Sequence, residues 1–457
     1  MKKESFEKRV NACFKGNDVR CLYEKELDEE LAYEIGAAIV QYLECRKIIV
    51  GNDMRFSSPI LKKALINGII DQGCDVVDIG MIDTPGLYFA SGYLKLPGAI
   101  ITASHNPIEY NGIKIVEKMA VPIGGGSGLE KIKEIIFKNS SKENKKKGIV
   151  TEKNIFSEYK KHILSFVNVK NVEKLKIVVD AGNGIAGKIV PLIYKGLPMH
   201  MTSLYFDING YFPNHDANPL LDENTKELRK RVVEEKADFG IAFDADMDRV
   251  FFIDEKAHLI DSSQIAAVII NHFLSQIKKD GFVYSLVMSK MLQDIAQEKK
   301  LPNYREKVGH AFIKKRMKKE NAFFGCESSG HFYYKDNWFA DSGIITSLIV
   351  LEIFTQERKK DKKFSQLFKA YKKYPLIQEK SFLIQDKKNA YTKILQHFKK
   401  DAQKIEEIDG ISFDCGTYWF NIRFSQTEPV LRLNLEAINE KIMQEKSLEI
   451  ENFLKKL

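Results

Sequence analysis

Residues 47–52 read KIIVGN, a short apolar stretch of β-forming residues, and residues 58–72 after it have the hydrophobic periodicity of a helix. Two more apolar stretches follow, at residues 74–79 and at residues 98–102 (GAIIT). Short β-rich stretches that alternate with helical ones are typical of parallel sheets covered by helices. This part of the chain therefore predicts the α/β fold class.

The same alternation continues further along the chain. Residues 176–180 (KIVVD) and 238–243 are the strands predicted for a second unit, and a third unit begins near Asp254. A chain of 457 residues is too long for a single hydrophobic core. We therefore predict three similar α/β domains and a smaller C-terminal α+β domain, with the boundaries 1–150, 151–253, 254–366 and 367–457. A polar, lysine-rich linker is expected at 138–151.

The composition is that of an ordinary globular protein, and the formal net charge is +9. The lysine runs at 145–147 and 359–363 lack interleaved aromatic residues, so they indicate solvated surface and not a nucleic-acid site. No signal-peptide pattern and no apolar run of membrane length is visible, which makes a cytoplasmic location the expectation. The six cysteines are scattered without a CxxC pair, and this predicts reduced thiols without disulfides or a zinc site.

A polar loop, TASHNP (residues 102–107), directly follows the apolar stretch GAIIT. Ligands of open α/β sheets bind at the carboxyl ends of strands, so Ser104 is a candidate nucleophile. Serine reacts poorly until a neighbouring base, metal or fixed charge activates it, and His105 and Lys114 are the candidates for that role. The alternative is that Ser104 only caps the next helix.

Three aspartates, Asp244, Asp246 and Asp248, alternate in the segment DADMDR. Alternate side chains of an extended loop share one side, and three carboxylates so close together repel each other unless a hard cation lies among them. Mg²⁺ prefers such ligands together with substrate phosphates. The spacing also fits a calcium EF-hand with Glu255 in the twelfth position, but Arg249 stands where that loop needs glycine and the flanks are strand-like. The segment therefore predicts a magnesium site.

Two further polar loops carry ligand-binding side chains. The segment GCESSGH (325–331) offers Glu327, two hydroxyls and His331 on a glycine-flexed loop, which suits a polyhydroxyl ligand but is also common in ordinary turns. The segment RFSQTEP (423–429) suits a phosphate because arginine makes bidentate contacts, although a hairpin with a surface arginine is the alternative. The segment GGGSG (124–128) lacks the lysine and spacing of a phosphate-binding glycine loop and is interpreted as a connector.

In this order along the chain, the segments TASHNP, DADMDR, GCESSGH and RFSQTEP resemble the α-D-phosphohexomutase family, specifically its bacterial phosphomannomutase/phosphoglucomutase branch. The resemblance extends from residue 14 to residue 436. It implies four domains arranged like a heart, with one loop from each domain in a central cleft. It also implies interconversion of hexose 1-phosphate and hexose 6-phosphate through a phosphoserine and a glucose or mannose 1,6-bisphosphate, which acts as activator and intermediate.

The resemblance also implies a role for each candidate residue. The implied catalytic residues are Ser104, His105, Lys114 and Arg20. Magnesium would be held by Asp244, Asp246, Asp248 and a phosphate oxygen on Ser104, with electrostatic support from Arg249. The sugar would contact Glu327, Ser329 and His331, and the non-reacting phosphate would contact Arg423, Ser425, Gln426, Thr427 and Arg432.

Some positions depart from the family pattern and leave the preferred sugar open. Cys21 and Cys326 stand where glycine is common, Gln426 replaces an asparagine, and Val287 takes the place of a third-domain lysine, with Lys290 nearby. The ending Gly330-His331 favours mannose and glucose, while a phosphoglucosamine mutase and a non-catalytic sugar-phosphate-binding protein are the alternatives. The expected partners are small hexose phosphates, with no nucleic acid and no membrane, and the expected state is a monomer or a weak homodimer.

Overall fold

The chain folds around four β-sheets in a computed structural model that describes residues 2–14, 16, 18–138, 146–172, 174–274, 280–425 and 429–457. For residues 2–4 and 378 the description covers the backbone only. The middle of the predicted linker, residues 139–145, lies outside the described residues.

The first sheet has seven strands. Its elements in chain order are α1 (Lys2–Cys13), β1 (Val19–Leu22), α2 (Glu29–Leu43), β2 (Lys47–Asn52), α3 (Ser58–Asp71), β3 (Asp75–Met81), α4 (Thr84–Leu94), β4 (Gly98–Ile101), β5 (Tyr110–Glu117), β6 (Val121–Ile123), α5 (Leu129–Lys138) and β7 (Val150–Glu152). The strand order is β1-β5-β4-β2-β3-β7, with β6 added to β5. Strands β4, β2, β3 and β7 run parallel, and β5 pairs antiparallel with β4. The apolar stretch KIIVGN is β2, which is buried from Ile48 onwards.

The second sheet has four strands in the order β11-β10-β8-β9. Its elements are α6 (Phe156–Leu164), β8 (Leu175–Asp180), α7 (Ala186–Tyr194), β9 (Met199–Leu204), α8 (Lys226–Glu234), β10 (Phe239–Phe243) and β11 (Val250–Asp254). Every residue of β10 and β11 is buried. Because these two strands flank the three aspartates, the helix-loop-helix of an EF-hand is excluded.

The third sheet has five strands in the order β13-β12-β14-β15-β16. Its elements are α9 (Ser262–Phe273), β12 (Phe282–Ser285), α10 (Met291–Lys299), β13 (Asn303–Glu306), α11 (His310–Glu320), β14 (Phe324–Cys326), β15 (Phe332–Tyr334), β16 (Ala340–Asp341) and α12 (Gly343–Arg358). Helix α12 is buried from Gly343 to Thr355, and Ser342 caps its first turn by accepting a hydrogen bond from Ile345 N.

The fourth sheet is wholly antiparallel, in the order β17-β21-β20-β19-β18. Its elements are β17 (Leu376–Leu383), α13 (Lys387–Phe398), β18 (Lys404–Glu406), β19 (Ile411–Asp414), β20 (Tyr418–Phe424), β21 (Val430–Ala437) and α14 (Glu440–Leu454). A separate hydrophobic core joins this sheet to its two helices. Three mixed α/β sheets and a smaller antiparallel unit confirm the predicted fold class, while the residue boundaries of the four domains stay a prediction.

The first three sheets share one way of presenting a polar loop. In each, a buried parallel strand ends and the next strand returns antiparallel beside it: β4 and β5, β10 and β11, β14 and β15. The segments TASHNP, DADMDR and the loop after Cys326 occupy these three returns. The polar loops therefore lie at the carboxyl ends of parallel strands, where ligands bind in open α/β sheets.

The prediction of reduced thiols is wrong for one pair of cysteines. Cys13 at the end of α1 and Cys21 in β1 form a disulfide, with their Cα atoms 5.0 Å apart. The end of α1 lies close to β1, so two residues eight positions apart come into bonding range, which spacing alone does not reveal. The other four cysteines are free thiols. No helix of the described residues is long and apolar enough to cross a membrane.

Candidate active site

Ser104 lies at the centre of the first loop in a conformation that residues other than glycine rarely adopt. Its φ is 49°, and the side chain is buried. The hydroxyl donates a hydrogen bond to Asp244 Oδ2 at 3.0 Å and lies 3.3 Å from His105 Nδ1. The structure therefore brings the first loop and the aspartate loop into direct contact, and Ser104 caps no helix.

A buried arginine that the sequence analysis did not single out holds this loop in place. The Arg55 guanidinium donates hydrogen bonds to four backbone oxygens of residues 104, 106, 107 and 110, at 2.6–3.0 Å. Asp53 lies 3.6 Å from Arg55 Nε and balances its charge. Because the charge is paired and both Nη groups donate to the loop, the backbone that carries Ser104 is fixed.

The three aspartates form a tight, buried cluster. One carboxylate oxygen from each of Asp244, Asp246 and Asp248 lies within 4.8 Å of the others. Among the described residues, no donor is hydrogen-bonded to Asp246 Oδ1 or Asp248 Oδ1, although both atoms are buried. Burial and the two neighbouring carboxylates raise the pKa of Asp244 well above its usual value. Crowded anionic oxygens with unused lone pairs are what a hard divalent cation needs, so the cluster fits Mg²⁺.

Residues of the first unit reach across to this cluster and hold it. Lys114 Nζ lies 2.9 Å from Asp246 Oδ2 and also binds Asp248. Thr84, at the start of α4, donates from its hydroxyl to Asp246 Oδ2 at 2.6 Å. Although burial alone would lower it, the pKa of Lys114 is raised well above its usual value by Asp246 and Asp248. Lys114 therefore carries a positive charge directly beside the aspartates.

Arg20 and His105 flank the serine with different charge states. Arg20 Nη1 donates to the Asn106 side chain at 2.8 Å, and Nη2 pairs with Asp18 at 2.7 Å. Burial and the nearby cations Arg249 and Arg20 lower the pKa of His105 well below its usual value. His105 is therefore neutral at neutral pH and has a ring nitrogen able to exchange a proton with the serine hydroxyl.

The third loop places His331 against the aspartate cluster. His331 Nε2 lies 3.4 Å from Asp248 Oδ1 and 3.8 Å from Asp341 Oδ2. Its other ring nitrogen lies 2.8 Å from Ser329 Oγ. Arg249 Nε lies 3.3 Å from His331 Nε2 and 3.7 Å from Asp244 Oδ2. His331 and Arg249 thus lie beside the carboxylates as well as beside the loop predicted to bind sugar.

Glu327 is anchored by neighbouring elements. Its Oε1 accepts a hydrogen bond from Gly309 N at 2.7 Å, at the start of α11, and its Oε2 accepts one from the Tyr333 hydroxyl. Gly330 has a φ of 88°, and a Cβ there would come within 2.7 Å of the Phe251 ring. The close approach fixes the loop against the second unit and explains why glycine stands at this position.

Two basic residues of α11, which belong to none of the predicted motifs, lie beside the site. Lys314 is buried, and His310 is half-buried with both ring nitrogens covered. Burial, followed by the neighbouring Lys314 and Lys114, lowers the pKa of His310 well below its usual value. Lys314 Nζ lies 2.6 Å from Asp341 Oδ1 and 3.7 Å above the centre of the Tyr88 ring. The segment GHAFIK did contain a usable signal, since histidine opens a helix directly after a strand at the same sheet edge.

The fourth loop contributes two arginines that lie side by side. Arg423 on β20 is opposite Arg432 on β21, and both contact the Glu379 carboxylate at 3.0 Å. Ser425 follows β20, and its carbonyl accepts a hydrogen bond from Lys387 Nζ at 2.5 Å. Gln426 and Thr427 lie outside the described residues. The described contacts of Arg423 and Arg432 are thus within the fourth unit, while the first three loops already touch one another.

Known proteins match this chain in all four units. Four sequence profiles match: "Phosphoglucomutase/phosphomannomutase, alpha/beta/alpha domain I" at residues 11–143, domain II at 157–257, domain III at 261–374, and the C-terminal domain at 356–451. A phosphomannomutase of Vibrio cholerae is 35% identical over 97% of this chain and 98% of its own length. A phosphoglucomutase/phosphomannomutase family protein of Burkholderia thailandensis superimposes with a TM-score of 0.86 at 27% identity, covering 97% of both chains.

A more distant structure shares the fold alone. N-acetylphosphoglucosamine mutase of Aspergillus fumigatus, solved in complex with GlcNAc-6P and magnesium, has a TM-score of 0.56 at 14% identity, covering 89% of this chain and 82% of that one.

Three α/β units, a smaller fourth unit and a serine beside buried carboxylates define a phosphohexomutase. The chain belongs to the phosphoglucomutase/phosphomannomutase family.

Proposed function

We propose that this chain interconverts hexose 1-phosphates and hexose 6-phosphates of mannose, glucose or both, through a phosphorylated Ser104 and a hexose 1,6-bisphosphate. The observation that carries the proposal is the contact of 3.0 Å between Ser104 Oγ and Asp244, within a buried group of three carboxylates. A hydroxyl beside three carboxylates can carry a phosphoryl group only if the negative charge of the phosphoryl group is balanced. The surrounding Lys114, Arg20 and Arg249 supply positive charge, and the carboxylates fit a cation.

Asp244, Asp246 and Asp248 are the residues proposed to hold Mg²⁺, together with a phosphate oxygen on Ser104. The bound cation would neutralise charge on the phosphoryl group during its transfer. Lys114 and Thr84 orient the carboxylates of the cluster. These supporting contacts come from the first unit, so the proposed cation site needs both units.

The proton of the sugar hydroxyl is the second requirement of the reaction. His105, neutral and 3.3 Å from Ser104 Oγ, is proposed to accept or return a proton there. Lys114 is charged and paired with two aspartates, so we assign it to electrostatic support of the transferring phosphoryl group. Arg20, fixed by Asp18 and the Asn106 side chain, would contact the transferring phosphoryl oxygens.

The sugar and its second phosphate are assigned to the remaining loops. Glu327 and Ser329 are proposed to bind sugar hydroxyls, with His331 between the sugar and the aspartates. The phosphate that does not react is assigned to Arg423, Ser425, Gln426, Thr427 and Arg432. Arg423 and Arg432 share Glu379, and an incoming phosphate would compete with that carboxylate for their guanidinium groups.

We further propose the four domain boundaries given above, a cytoplasmic location and a monomer or weak homodimer.

The decisive experiment follows conversion of mannose 1-phosphate to mannose 6-phosphate with magnesium and a trace of glucose 1,6-bisphosphate. Ser104→Ala is compared with Ser203→Ala, a matched change of an exposed serine on β9. Glucose and glucosamine phosphates run in parallel and report the preferred sugar. We expect turnover that is lost in Ser104→Ala and on chelation of the metal, and unchanged in Ser203→Ala. A Ser104→Ala protein as active as wild type would refute the phosphoserine route.

A further inference from the structure

A cavity lies between the first and third units, beside α11. Its volume is 660 Å³, within the range of sites for small organic ligands. One wall comes from the turn after β5, where Met119 lies, and the other from α11 and the turn that contains Trp338 and Phe339. None of the roles proposed above uses this cavity.

The backbone that lines this cavity is held in an uncommon conformation at four positions. Met119, Ala120, Trp338 and Phe339 have φ values of 65°, 57°, 53° and 61°, and none of them is glycine. Residues other than glycine adopt this conformation at a cost, and such strain is often found where ligands bind. Two turns with this backbone conformation, one from the first unit and one from the third, face the same cavity.

The chemical character of the walls is divided. Met119, Trp338 and Phe339 give an apolar side. Lys315, Lys318 and Lys319 of α11 give a cationic side; their spacing places them on one helix face, and all three are exposed. Within the described residues, no carboxylate forms an ion pair with any of these three lysines. One acidic residue, Glu117, also lines the cavity, but the three exposed lysines outnumber it, so the cavity offers net positive charge beside an apolar surface.

We infer that this cavity binds a nucleotide, with the base on the apolar side and the phosphates on Lys315, Lys318 and Lys319. Three ammonium groups on one helix face match a chain of two or three phosphates better than a single anion. A flat base fits the aromatic and thioether side chains of the other wall. The inference does not rest on the proposed function, because none of these groups touches Ser104 or the three aspartates.

The chain contains a built-in reporter for this site. Of its two tryptophans, Trp338 lines the cavity and Trp419 lies in the fourth unit, so Trp419→Phe leaves one reporting residue. Titration of Trp419→Phe with ATP, GTP, CTP and UTP is expected to change the fluorescence of Trp338 with saturation. Calorimetry on the unaltered protein measures the same affinity without any substitution. Absence of binding by all four nucleotides at millimolar concentrations would overturn the inference.

Matched variants locate the binding. Lys315→Gln, Lys318→Gln and Lys319→Gln together should weaken nucleotide binding by about tenfold or more, because charge-assisted contacts to phosphate are lost. The control removes the same charge from the exposed Lys393, Lys399 and Lys400 in the fourth unit and should leave affinity unchanged. Equal weakening by both triple variants would mean non-specific attraction and refute the site.

Three ligand arms separate the recognised groups. Adenosine and inorganic phosphate should each bind much more weakly than ATP, since each meets only one side of the cavity. Mannose 1-phosphate should not compete. Competition by mannose 1-phosphate would place the nucleotide in the Ser104 site and overturn the inference, whatever the outcome of the turnover experiment.

Discussion

Arg55 shows how a single side chain can fix the geometry of a reactive loop. It donates to four backbone oxygens of the Ser104 loop from a fully buried position, and Asp53 neutralises it. Lysine would keep the charge but has a single ammonium, which cannot span four carbonyl groups. Arg55 therefore acts on the site through the backbone that carries Ser104.

We predict that Arg55→Lys lowers kcat for hexose phosphates by about 100-fold, because a displaced nucleophile loses its alignment. Far-ultraviolet circular dichroism should show a folded protein, which separates misalignment from unfolding. The exposed Arg46→Lys is the control and should behave as wild type. Normal turnover in Arg55→Lys would show that the loop keeps its geometry without the guanidinium.

The residues that could be predicted are those in contiguous motifs. Ser104, the three aspartates and His331 stand in short polar segments after apolar strands, and the structure brings these together. The roles of Thr84 and Arg55 could not be found this way, because their contacts join residues far apart in the chain. The disulfide of Cys13 was missed because sequence spacing does not reveal how a helix end lies over a strand.

At the scale of elements, β21 meets α10 through one buried carboxylate. Glu436 on β21 accepts hydrogen bonds from Ser289 Oγ and, at 2.9 Å, from Lys290 N, just before α10. Burial raises the pKa of Glu436 to about 7 from 4.5. The folded protein therefore holds this proton over a pH range in which the unfolded chain releases it, so this group makes the fold less stable as pH rises from 4.5 to 7.

We predict that Glu436→Gln removes this pH dependence. The free energy of unfolding of the wild type, minus that of Glu436→Gln, should fall by about 3 kcal/mol between pH 4.5 and pH 8. Urea unfolding at several pH values measures it, with the exposed Glu445→Gln as the control. A difference that stays constant with pH would contradict a protonated Glu436.

For the whole molecule, the first and second units are joined at the proposed cation site. Asp246 lies between β10 and β11 of the second unit, yet its carboxylate is held by Thr84 and Lys114 of the first unit. The four-unit fold was predictable from the alternation of strands and helices. The contacts between the first and second units at Asp246 were not predictable, because they depend on how the two folded units pack against each other.

Removing one of these cross-unit contacts should weaken magnesium binding even though no proposed magnesium ligand is mutated. Thr84→Val keeps the shape of the side chain and removes the hydrogen bond to Asp246 Oδ2. We expect magnesium affinity, measured by calorimetry, to fall by about tenfold, as for other residues that orient metal ligands. Thr392→Val, an exposed change on α13, is the control. Unchanged affinity would mean that Lys114 and Thr102, which also donate to Asp246 Oδ2, orient the carboxylate without Thr84.

The ion pairs of Lys114 also have a consequence for synthesis of the chain. Lys114 precedes its two partner aspartates by 132 and 134 positions. At ordinary translation rates its partners are made on the order of ten seconds later. Burying an ammonium group without a counter-ion is costly, so we expect the Lys114 side chain on β5 to be buried only after Asp246 and Asp248 have been made. The first unit is synthesised first, but its Lys114 is paired only when the second unit supplies the two aspartates. A chain truncated before Asp246 would leave Lys114 without these partners.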